Sequence, residues 1–150
     1  MPRYPMQLLL LLLLVSCSLS EPSQGDIVGL WVEQSTGSNS ESASCATIEF
    51  RDDGRFEAND LPEEYFILAD APTTPRVDTS GEWSLISLSG TIRIELKFDP
   101  NSNSRFQQGY TSELHISARG NQYYLYAWAD DEADRLIFNK SDTAECGGGE

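Results

Sequence analysis

The sequence predicts an all-β fold, a small antiparallel up-and-down barrel of about eight strands with one short helix or loop over a barrel mouth. Three observations carry this reading. Apolar and polar residues alternate with a period of two in one segment after another, hairpin-turn residues separate those segments, and no long stretch has helical periodicity. A meander of such strands hides its apolar faces and loses its exposed edges when it closes on itself. A sandwich of two sheets satisfies the same pattern and stays open at this point.

The first strand runs from Gly29 to Gln34. In the second, Ile48 and Phe50 face one way while Thr47, Glu49 and Arg51 face the other. Arg51-Asp52-Asp53-Gly54-Arg55 then reverses the chain, because Asp-Gly accepts the positive φ angles of a tight hairpin. Phe56 and Ala58 continue the apolar face on the return strand, and Gly81 to Ile86 forms the next. The cleanest alternation sets Ile92, Ile94, Leu96 and Phe98 against Arg93, Glu95 and Lys97. Leu114, Ile116 and Ala118 alternate in the same way with Glu113, His115 and Ser117. Arg119-Gly120-Asn121 turns the chain into a strand from Gln122 to Trp128, and Arg135 to Lys140 is the last. One segment breaks the rhythm. Asp60 as N-cap, Pro62 in the first turn and the acids Glu63 and Glu64 are helix-start signals, so Leu61 to Ala69 is expected as a short helix over one mouth. Asp70 to Thr79, with Pro72 and Pro75, is expected as irregular loop.

Residues 1–16 stand outside that fold. Arg3 supplies a positive charge and Leu8 to Val15 is wholly apolar, the first two parts of a secretory signal. The run falls short of the roughly 20 residues a bilayer-spanning helix needs, so it is read as a removed leader. Leu14-Val15-Ser16-Cys17 resembles the bacterial lipobox, in which cleavage falls before a Cys whose thiol carries diacylglycerol. Several acyl chains anchor firmly where one holds only marginally. Ser18 after the anchor Cys, rather than Asp, resembles an outer-membrane rather than an inner-membrane address. The competing reading is an ordinary signal cut after Ser18-Leu19-Ser20, which discards Cys17 and leaves a secreted soluble barrel. Residues 17–25 then read as a flexible tether, 26–140 as the barrel domain and 141–150 as a C-terminal tail.

Either cleavage leaves Cys45 and Cys146 in the mature chain. An even pair in an oxidising compartment is most simply a disulfide, and closing a loop of roughly 100 residues is worth about 4 to 5 kcal/mol in the chain-entropy account. With 24 acidic and 10 basic residues the net charge is −14, which repels nucleic acid and anionic headgroups and suits a basic protein partner.

Catalytic chemistry finds no constellation. His115, the only His, falls on a polar strand face, and neither Ser112 nor Ser117 is marked as activated. Asp130-Asp131-Glu132-Ala133-Asp134 is acidic but lacks the ligand spacing and central Gly of an EF-hand loop, so it reads as a solvated turn rather than a metal site. No cofactor is expected. The aromatic residues are more telling. By alternation Tyr124, Tyr126 and Trp128 share one face of their strand, while Tyr123, Leu125 and Ala127 share the other. Only one face can be core. The surplus aromatic face is expected to be covered by Leu61–Ala69, with a partner surface or a cavity lining as the alternatives.

Two Gly-x-Trp triplets, Gly29-Leu30-Trp31 and Gly81-Glu82-Trp83, stand at strand starts. The first resembles the opening strand of lipocalins. The order of pieces resembles uncharacterised bacterial envelope lipoproteins with a lipocalin-like barrel: Ile48 to Phe56, Leu61-Pro62, Gly81-Glu82-Trp83, then Tyr124 to Trp128 with Asp130-Asp131. That resemblance implies that Trp31 plugs the closed end of the barrel and that Arg135, on the last strand, packs over it. It implies no activity, and no lipocalin C-terminal helix is visible. The function expected is therefore binding rather than catalysis: a lipid-anchored envelope protein holding a small apolar ligand. The alternative is an interaction or inhibitor lipoprotein using its acidic surface. The membrane is expected as a partner through the N-terminal lipid.

Overall fold

The structure, a computed structural model, describes residues 21–34, 45–66, 76–100, 110–128 and 135–145. Eight strands close into an up-and-down antiparallel barrel in sequence order, which settles barrel against sandwich. They are β1 (Gly29–Glu33), β2 (Thr47–Phe50), β3 (Arg55–Pro62), β4 (Arg76–Leu88), β5 (Thr91–Phe98), β6 (Thr111–Arg119), β7 (Gln122–Trp128) and β8 (Arg135–Ser141). Closure is made by β8 on β1, with Trp31 opposite Lys140 and Glu33 opposite Phe138. No helix among the described residues is long and apolar enough to cross a membrane.

A short helix, α1 (Gln24–Ile27), precedes β1, so residues 24 and 25 of the expected tether belong to the body. The Asp26 carboxylate accepts the backbone N–H of Ser23 at 2.8 Å and its hydroxyl at 2.6 Å. These bonds pin the first turn, and Ile27 is fully buried. Residues 17–20 of the tether, the whole leader and Cys17 lie outside the described residues.

Over its described part, residues 61–66, the segment expected as a short helix or loop begins as strand. β3 continues through Pro62, pairing Leu61 with Val77 and Pro62 with Arg76, and only a single 3-10 turn follows, Glu63–Tyr65. Asp60 is no N-cap. It takes φ +54° at a bulge in the β3–β4 ladder, and its N–H donates to the Asp78 carboxylate at 2.9 Å. Arg76 to Thr79 are strand, not loop, because β4 must reach the end of this lengthened β3.

The two Gly-x-Trp triplets do equivalent work at the α1 end of the barrel. The Trp31 indole N–H donates to the Ile27 carbonyl at 2.7 Å, and the Trp83 indole N–H to the Arg51 carbonyl at 2.9 Å. Each ring therefore enters the core with its one polar atom satisfied. Gly81 is required by close approach, since a Cβ there would lie 2.2 Å from the Lys97 carbonyl oxygen and 2.6 Å from the Phe56 ring.

The enclosed volume is taken by the protein's own side chains. Trp31, Phe50, Phe56, Phe98, Phe138, Ile48, Leu61, Ile94, Leu96, Leu114 and Leu125 are each less than 2% exposed. Aromatic contacts run along the interior from Trp83 through Phe50, Phe56 and Phe98 to Phe66, at centroid separations of 5.2, 6.3, 5.5 and 6.2 Å. An eight-stranded barrel is just wide enough to be filled in this way.

Candidate functional site

Alternation on β7 sends Leu125 and Ala127 into the core, where both are buried. Tyr124, Tyr126 and Trp128 therefore stand on the outside of the barrel, each half-buried. The segment expected to cover them does not, as far as it is described: Leu61 and Phe66 turn inward, and Phe66 packs edge-on against Phe98. Residues 67–69 lie outside the described residues.

Register on the neighbouring strands decides what does surround the three rings. Tyr126 is paired with His115 on β6 and Ile137 on β8, Tyr124 with Ser117 and Asn139, and Trp128 with Arg135. Directly opposed residues on one face touch. The His115 ring accordingly stacks on Tyr126 at 5.0 Å and 19° and meets Trp128 edge-on at 5.7 Å. Tyr124 and Tyr126 lie 6.0 Å apart, Tyr126 and Trp128 5.5 Å. The Arg135 guanidinium lies 4.4 Å from the Trp128 centroid and 5.4 Å from that of Tyr126, and Arg119 lies 5.7 Å from Tyr124. Four rings and two guanidinium groups thus form one continuous outer stripe across β6, β7 and β8.

The electrostatics of the stripe favour a neutral imidazole. Burial pushes His115 below its ordinary pKa, the nearby Arg93 charge adds to this, and Glu113 partly opposes it. Arg93 is itself tied to Glu113 at 2.7 Å. The Trp128 indole N–H is shielded from solvent and meets no acceptor among the described residues.

The expected contact between Arg135 and Trp31 does not form. Even-numbered residues of β8 point inward and odd-numbered ones outward, so Arg135 shares the outer face with Trp128 while Trp31 is wholly buried. The cation over Trp31 is Lys140, its registered partner, with Nζ 5.8 Å from the ring centroid and donating to the Asp26 carbonyl at 2.8 Å. Trp31 itself is wholly buried next to α1. Cys45 stands half-buried just before β2. Cys146 and the acidic turn at 130–134 lie outside the described residues, and no cluster of metal-ligating groups occurs among those described.

His115, Arg119 and Lys140 escape sequence reading, in which they are a polar strand position, a turn residue and a strand end. The signal for the first was present. A two-residue turn at Gly120-Asn121 sets Arg119 opposite Gln122, and counting back along both strands brings His115 opposite Tyr126. Compared with known proteins, the chain matches no protein-family model, no curated protein and no solved structure.

Proposed function

We propose that this protein is an exported, lipid-anchored binding module of the bacterial envelope that works through its outer surface rather than by carrying a ligand inside its barrel. One observation supports this above the others: the interior is filled by buried apolar side chains, while Tyr124, Tyr126, Trp128, His115, Arg119 and Arg135 are gathered outside, where the core has no use for them. Tyr, Trp and Arg are the residues on which protein–protein binding energy concentrates. A protein partner is therefore favoured over the small apolar ligand expected from sequence. The likeness to lipocalin-like envelope lipoproteins belongs to the same proposal and supplies a scaffold, not an activity.

Anchoring rests on Leu14-Val15-Ser16-Cys17, with the outer membrane as destination, and the secreted form is the alternative. A disulfide from Cys45 to Cys146 belongs to this reading.

Native mass spectrometry of the protein, gently extracted from its own envelope, separates surface recognition from internal carriage. The mass of the acylated polypeptide alone is expected. A stoichiometric apolar adduct released on unfolding would return the function to the barrel interior.

A further inference from the structure

A cavity of about 520 Å³ opens beside α1, between that helix, the seam of β1 with β8, and the turn joining β6 to β7. Its size is in the range of small-molecule sites. Its lining departs from the rest of the molecule. In a chain with 24 acidic and 10 basic residues, the charged groups around this cavity are Arg119, Lys140 and Asp26. Asp26 keeps its negative charge, because its hydrogen bonds from Ser23 hold its carboxyl below the usual range, so the three groups together leave the space net positive by one charge. Arg119 has no carboxylate partner among the described residues and lies over Tyr124; Lys140 spends one donor on the Asp26 carbonyl and retains others.

The uncharged lining is equally particular. Gln34, Gln122 and Asn139 line the space with Tyr123, which is half-buried. A side-chain amide offers donors and an acceptor together, as a hydroxyl does, and so matches polyhydroxylated ligands better than apolar ones. Asn139 and Gln34 already share one bond at 3.3 Å, which orients both amides and leaves the Asn139 oxygen and the Gln34 nitrogen with capacity. A phenol ring beside them offers an apolar face.

We propose that this cavity is a binding site for a monosaccharide acid: the carboxylate is held by Arg119 and Lys140, the hydroxyls by the amides, and the sugar's C–H face lies against Tyr123. The site shares Arg119 and Tyr124 with the outer stripe but does not require that stripe to recognise a protein. Its lining includes Trp31 and Tyr123, which also pack with the core at this end of the barrel.

The test is a titration of the folded, isotopically labelled protein, followed by amide shifts in two-dimensional NMR, with sodium glucuronate, glucose and sodium acetate as separate probes. Glucuronate is expected to shift Gln122, Asn139 and Lys140 saturably and to bind at least tenfold more tightly than either glucose or acetate. Arg119→Gln is expected to weaken glucuronate about tenfold or more, the loss of one charge-assisted bond, while leaving the dispersed spectrum of the folded barrel intact. Arg119 is exposed at a turn, so its replacement spares the core. Equal response to glucose would remove the cations from the site, and equal response to acetate would reduce it to simple charge attraction. Either outcome overturns the proposal, as does glucuronate binding that Arg119→Gln leaves unchanged or an absence of saturable shifts.

Discussion

Trp31 and Lys140 face each other across the seam that closes the barrel, and both are tied to the same short helix. The indole N–H takes the Ile27 carbonyl at 2.7 Å and the ammonium takes the Asp26 carbonyl at 2.8 Å, with Nζ 5.8 Å from the ring centroid. The two carbonyls at the end of α1 thereby gain donors that a four-residue helix cannot itself supply. Trp31→Phe should cost about 1 to 3 kcal/mol, because the Ile27 carbonyl is left buried without its donor. Lys140→Met keeps the aliphatic stem and should cost about 1 kcal/mol. Urea unfolding followed by circular dichroism measures both, and a larger loss for Lys140→Met than for Trp31→Phe would contradict this division.

Gly81 and Gly90 should respond to the same substitution to very different degrees. A Cβ at Gly81 meets the Lys97 carbonyl oxygen at 2.2 Å, backbone that cannot step aside, so Gly81→Ala should cost more than about 3 kcal/mol or prevent folding. Gly90 has φ +79° with open space around it, so Gly90→Ala should cost only about 1 to 2 kcal/mol, the left-handed backbone penalty. Thermal melts of the two variants give the comparison directly.

His115 makes stability depend on pH in a defined direction. Its folded pKa is held below the ordinary value of 6.5 by burial and by Arg93. The unfolded chain therefore takes up a proton that the folded one refuses. This contribution is fully present above about pH 6.5 and is lost as pH falls toward the folded pKa. Because the chain has a single His, the window between about pH 5 and 7 reports on it cleanly. Urea midpoints should fall across that window, His115→Gln should flatten the fall, and a rising midpoint would mean that the ring gains a proton on folding.

The N-terminal reading is tested by Cys17→Ser. The substituted protein should leave the membrane fraction and lose the mass of its acyl chains while keeping the circular dichroism of a barrel. Peptide mapping without reduction should join Cys45 to Cys146. A link from Cys45 to Cys17 would instead exclude acylation of that thiol.

The barrel was legible because period-two alternation survives wherever one strand face is buried, and the strand boundaries from Gly29 to Lys140 follow it closely. Leu61–Ala69 misled for a physical reason. Asp60, Pro62 and two acids are local helix signals, but pairing Leu61 and Pro62 with β4 and burying Phe66 outweighed them. The outer stripe was half legible. Alternation alone puts Tyr124, Tyr126 and Trp128 together, whereas His115, Arg119 and Arg135 join them only through cross-strand register, and the outward parity of Arg135 on β8 separates it from the inward Trp31. The cavity beside α1 was not legible at all. Its lining comes from α1, β1, β8 and the β6–β7 turn, which are distant in sequence and meet only on closure.

Recognition by the outside of the barrel, as proposed above, can be probed in place. A photoreactive phenylalanine analogue placed at Tyr126, with Glu57 as a control position outside the stripe, tests it in intact cells. A discrete protein adduct from position 126 and none from position 57 is the predicted result. Equal labelling at both positions, or labelling of small lipophilic molecules alone, would contradict it.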